Sequence, residues 1–115
     1  MDNQIIIADF TREAASKRSG EIIKNEIEKK LNEVELRNIY VDFTGITRFA
    51  SPFFNFSFGN LFIQYEESIF DRIKIENISE VGFDTYQISI ENAKMIKNNL
   101  GYQEQINAII KNNSK

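Results

Sequence analysis

The stretch from Ile39 to Tyr65 reads IYVDFTGITRFASPFFNFSFGNLFIQY, and the rest of the chain is best understood outward from it. Ile39 to Phe43 is short, β-branched and aromatic, which predicts a central strand ending at Thr44-Gly45. After a short link, Ser51-Pro52 opens a segment with helical spacing, and six of the ten phenylalanines lie between Phe49 and Phe62. At 100° per residue, Phe54, Phe58, Leu61, Phe62 and Tyr65 share one sector, as a core face should. Phe53, Phe56 and Ile63 project to the other side with Ser57, Asn60 and Gln64. Leaving such apolar side chains in water forgoes about 1.5–3 kcal/mol apiece. The sequence therefore predicts a protein-binding surface at Phe53, Phe56, Asn60 and Ile63, unless another element of the same chain covers them.

Two polar residues punctuate the stretch. Asp42, inside the strand, is read as a carboxylate at its water-facing end or bonded to nearby backbone or Arg. Ser51 is the expected N-cap of the helix, its hydroxyl accepting from a first-turn N–H, with Pro52 at the first helical position where no N–H is needed. On that reading Ser51→Ala costs on the order of 1 kcal/mol. Ser51 is also the candidate phosphoacceptor, because a phosphate at a helix start is stabilised by free amides and adds roughly −2 charge.

Upstream, Gln4 to Phe10 contains three consecutive isoleucines and predicts a first, buried strand. Ser19-Gly20-Glu21 marks a helix start, after which Ile23, Ile27, Leu31 and Val34 form one apolar stripe. Downstream, Ile73 to Glu76 alternates apolar with polar as a third strand. Tyr86, Ile90 and Ala93 predict a helix ending near Leu100-Gly101, and Gln103 to Lys111 a last helix. Gly45 and Gly82 are expected turn glycines, and Gly59 a point of close approach within the aromatic helix.

At 115 residues the chain is expected to form one domain, residues 1–115. A formal charge of −3 and a pI near 5.0 give no basic footprint, so nucleic acid is not an expected partner. With no histidine and no cysteine, the commonest general base, the commonest metal ligand and every thiol chemistry are missing. The expectation is therefore a non-enzyme without cofactor or metal. The start lacks a positively charged region and no long apolar run follows, which predicts a cytoplasmic protein without a membrane span.

Strand, helix, strand and a DFTG turn before a serine-led aromatic helix resemble the STAS fold of sulfate transporters and anti-sigma-factor antagonists. The closer resemblance is to the compact bacterial STAS-like domains of unassigned function. Arg18 to Glu21 (RSGE) is similar to that family's helix opening and Val41 to Ile46 (VDFTGI) to its second strand and turn. Ser51 to Phe62 (SPFFNFSFGNLF) is similar to its serine, phenylalanine, glycine and leucine pattern. The resemblance implies an α/β fold with a small mixed β-sheet covered by α-helices. It also implies a regulatory binding module that docks a protein, such as a kinase-like ATPase, through its second main helix. In the antagonists an Asp-Ser pair starts that helix and the serine is phosphorylated; here Ser51 follows Ala50. The alternative expectation is a small phage- or mobile-element accessory or inhibitor protein, or a homodimer formed through the same aromatic surface.

Overall fold

In a computed structural model, residues 3–33 and 37–113 are described along the backbone, with side chains described as far as residue 101. The strands are β1 (Gln4–Ile6), β2 (Ile39–Asp42) and β3 (Ile73–Glu76). They lie side by side in chain order, and both pairings are parallel: Ile5 is in register with Val41, and Val41 with Ile75. The class is α/β with helices over the sheet, but pairing throughout the described strands is parallel rather than mixed. β1 is shorter than its isoleucine run suggests, because a 3-10 turn at Ile7–Asp9 bends the chain away.

Parallel neighbours need crossovers. Two right-handed crossovers stepping in one direction set their helices on one face of the sheet. The first carries α1 (Lys17–Glu33), and the second carries α2 (residues 51–64) and the short α3 (Glu67–Phe70). Along the strands Ile5, Ile39, Val41 and Ile73 are buried beneath this layer, while Gln4, Ile6, Lys74 and the half-buried Tyr40 alternate to the open face. The last helix, α4 (Glu80–Asn113), packs on α2 instead of on the sheet.

α1 begins two residues before the expected Ser19 cap. Ser16 Oγ accepts from the Ser19 N–H at 3.0 Å, so Ser16 performs the capping, and Ser19 Oγ donates instead to Thr11 Oγ1 at 3.1 Å. Gly20, moved inside the helix, is the point where α1 crosses α2. A Cβ there would lie 3.2 Å from both the Cα and the carbonyl carbon of Phe53 and would overlap its carbonyl oxygen. Ile23 and Ile27 are buried and Leu31 packs against the core as expected; Val34 lies outside the described residues.

α2 is not a uniform helix. α-Helical Ser51–Phe54 and Asn60–Gln64 flank a π-helical turn at Asn55–Gly59, and both α1 and α4 press on that wider turn. The buried Ser57 hydroxyl donates to the Phe53 carbonyl at 2.7 Å. Phe54 stands at the centre of the aromatic core, its ring 5.1 Å from Phe53, 6.0 Å from Phe43 and 6.1 Å from Tyr86.

α4 corrects two boundaries. It runs through Gly101 without a break, so the expected stop and the separate last helix merge into one element of 34 residues. Gly82, expected in a turn, lies in its first turns, where a Cβ would meet the Phe49 ring. Lys97, halfway along α4, donates from Nζ to the Phe62 and Tyr65 carbonyls at 2.9 and 2.8 Å. A lysine from a neighbouring element thus serves the unpaired carbonyls at the α2 C-terminus. No described helix is long and apolar enough to cross a membrane.

Candidate functional site

The two polar residues of the deciding stretch have structural positions. Asp42 Oδ1 accepts from the Thr44 hydroxyl at 2.6 Å, the Thr44 N–H at 2.9 Å and Asn77 Nδ2 at 3.0 Å. These bonds, the Thr44 hydroxyl foremost, hold the carboxyl below the usual carboxylate range. Asp42 thereby ties the end of β2 to the turn beyond it, where Ile46 N–H bonds the Phe43 carbonyl and Gly45 takes a φ of 86°. It also reaches Asn77, which follows β3.

Ser51 is exposed, but it is not the cap. Ala50 occupies that position with extended angles (φ −147°, ψ 152°), and no side chain caps the helix. Ala50 is held there by its N–H bonding the Ala14 carbonyl, part of an isolated parallel bridge between Ala14 and Phe49. The expected capping cost disappears with the capping bond. Ser51→Ala is expected to change unfolding free energy by less than about 0.5 kcal/mol in urea titration, rather than by the 1 kcal/mol a cap would lose.

The four side chains expected to form a binding surface divide. Phe53 is fully buried: its ring lies edge-on to Phe43 at 6.2 Å, and the crossing of α1 at Gly20 covers that side of α2. The sequence left open whether another element covers the side of α2 away from the sheet; at Phe53 α1 does. Phe56, Asn60 and Ile63 remain half-buried, and the structure brings these three together along one edge of α2. Lys17 Nζ sits over the Phe56 ring, 4.8 Å from its centroid.

That edge faces α4 across a groove of about 550 Å³. α2 contributes Asn55, Phe56, Asn60 and Ile63; α4 contributes Asn92, Met95, Ile96 and Asn99, with Ser89 and Ala93 at the base. A Cβ at Gly59 would be in ordinary van der Waals contact with α4, 3.9 Å from the Ser89 carbonyl oxygen and 4.0 Å from Ala93 Cβ; its tight contact, 3.3 Å, would be with the Phe54 carbonyl oxygen of its own helix. Ser89 is 1% exposed and its hydroxyl has no hydrogen-bond partner. No lining side chain ionises near neutral pH. What the groove can do chemically is recognise an apolar surface, with asparagine carboxamides on its rim and the Ser89 hydroxyl to be satisfied below.

The sequence reading missed the α4 wall. It took Tyr86, Ile90 and Ala93 as the meaningful face of that helix and assigned nothing to the side carrying Asn92, Met95 and Asn99. The recurrence of apolar residues and asparagines at intervals of seven was the available signal.

Tyr86 anchors this wall to the core. Its ring meets Phe58 edge-on at 5.5 Å, and burial, helped by the negative charge of Asp71, pushes its hydroxyl up to about 12. The folded state therefore holds this proton more tightly than the unfolded chain. The associated stability is complete below pH of about 10 and lost as pH rises from there towards about 12, in total on the order of 2–3 kcal/mol. Tyr86→Phe is expected to lose less stability than wild type over that interval in denaturant titrations; identical slopes would contradict the assignment.

The chain is similar to one described family of domains. Residues 19–83 fit the profile of a family described as a STAS-like domain of unknown function. The fit begins inside α1, covers β2, α2, α3 and β3, and stops in the first turn of α4. No match was found among curated proteins or among solved structures.

Proposed function

We propose that this chain, which belongs to the STAS-like domain family of unknown function, is a non-catalytic regulatory module that docks a protein partner in the groove between α2 and α4. The observation carrying this reading is the groove itself: two helices splayed around Phe56, Ile63, Met95 and Ile96, rimmed by carboxamides and free of ionisable groups. An amphipathic helix is the partner element such a groove suits, since its apolar face can cover those four side chains and its flanks can meet the asparagines.

The test uses substitutions on the two sides of the division found in α2. Phe56→Asp and Ile63→Asp are expected to abolish partner capture while leaving circular dichroism and melting cooperativity intact. Phe53→Asp is expected to unfold the domain, because it would bury an unpaired charge. A folded Phe56→Asp protein that captures the same partners as wild type would sink the reading.

A further inference from the structure

We propose that the helix meeting this groove is α4 of a second copy of the chain, the two α4 helices pairing parallel and in register as a two-stranded coiled coil. The inference deepens the reading above and rests on it for the groove being an interface.

The sequence of α4 carries a repeat. Val81, Ile88, Met95, Tyr102 and Ile109 fall at intervals of seven, and Thr85, Asn92, Asn99 and Ile106 form a second series four residues later. Together the two series alternate at four and three, the spacing of a coiled-coil seam. The seam runs from 81 to 109, about 42 Å at 1.5 Å per residue. α4 is one continuous helix over the whole of it.

The structure then shows which side of α4 is free. Tyr86, Ala93 and Lys97 face α2, and the seam lies about 140° round the helix from them. Val81, Ile88 and Met95 are 68%, 58% and 64% exposed, although they are the residues that should seek cover. Seam residues Asn92, Met95 and Asn99 also form the outer lip of the groove, so a helix laid on the seam closes the groove's mouth.

Three features select an identical helix as the occupant. A second copy supplies the same length and repeat. Asn92 and Asn99 occupy successive positions of the series in which a buried asparagine sets register in parallel dimers, where each can bond its own counterpart across the axis. The flanks carry only two charges between 81 and 112, Asp84 and Glu91, both at the position preceding the second series. In a parallel in-register pair Glu91 lies beside Ile96 of the other copy, so like charges are not opposed and a strongly charged partner finds no complement.

The chain has no cysteine, which permits a clean test on the full-length protein. Light scattering at micromolar concentration is expected to give twice the chain mass for wild type. Ile88→Asp, at an exposed position, is expected to weaken dimerisation at least about tenfold without loss of helical signal. Thr85→Cys is expected to yield a disulfide-linked dimer on mild oxidation, which parallel in-register pairing allows and antiparallel pairing forbids. A monomeric wild type, or a dimer that Thr85→Cys does not cross-link, overturns the proposal. A monomer that still captures a partner through Phe56 overturns self-pairing and leaves the groove reading in place. A Thr85-linked dimer in which Phe56→Asp changes neither self-association nor capture supports the seam and removes the groove reading.

Discussion

Phe54→Ala is expected to destabilise the domain by about 3–5 kcal/mol, the range for removing a fully buried phenylalanine. Against a typical total of about 5–15 kcal/mol this is roughly a fifth of the stability or more. The position explains the size: Phe54 is fully buried and its ring is near those of Phe43, Phe49, Phe53, Phe58 and Tyr86. These rings come from the link after β2, from α2 and from α4, so no single neighbour can collapse into the space. Phe56→Ala is the comparison. Half-buried and touched by Lys17, it is expected to cost about 1 kcal/mol or less. Urea titration of the two variants checks both values. Equal losses would mean that the division of α2 into a core side and a groove edge is wrong.

Gly20→Ala is expected to be destabilising although it improves local helix propensity. Alanine inside a helix gains about 1 kcal/mol over glycine. At residue 20 the added methyl meets the backbone of Phe53 rather than the yielding end of a side chain, and Phe53 and Phe54 are fully buried, so α2 cannot slide aside without disturbing the core. Overpacking of this kind costs about 1–3 kcal/mol; contact with unyielding backbone places residue 20 at the upper end, so with the propensity gain of about 1 kcal/mol subtracted a net loss of about 2 kcal/mol is expected. Gly101→Ala is the matched control, because its Cβ meets nothing and the residue is exposed. There the same change is expected to stabilise by up to about 1 kcal/mol. If Gly20→Ala proves as stable as wild type, α1 and α2 do not touch through their backbones.

The contrast between these glycines also shows what the sequence could convey. Strand β3 and the core residues of α2 were legible because period-two alternation and a sector of apolar residues each report on one neighbour at a time. Phe53 was not, because its cover comes from α1, over thirty residues earlier, at a glycine that looked like part of a helix start. Gly101 was read as a stop from local preference alone, yet it lies within α4 and its φ is not positive. Ser51 and Ser16 make the same point at helix starts: both are suitable capping residues, but only Ser16 has its hydroxyl at the first free amides. For the candidate site, Phe56, Asn60 and Ile63 could be named from one helix, whereas the opposing wall required knowing that α4 packs on α2.

The sheet's order has a consequence for how the domain can associate at all. With β1 and β3 outermost among the described strands, these two strands form the borders of the sheet, where another chain's strand would have to add. Both are poor templates. β1 offers three residues before the 3-10 turn pulls its backbone away, and β3 offers four with the charged Lys74 and Glu76 among them. Short, bent or charged borders are the usual means by which proteins discourage strand-on-strand growth. Such borders discourage growth through the sheet, which is in keeping with the proposal that association runs through the helices.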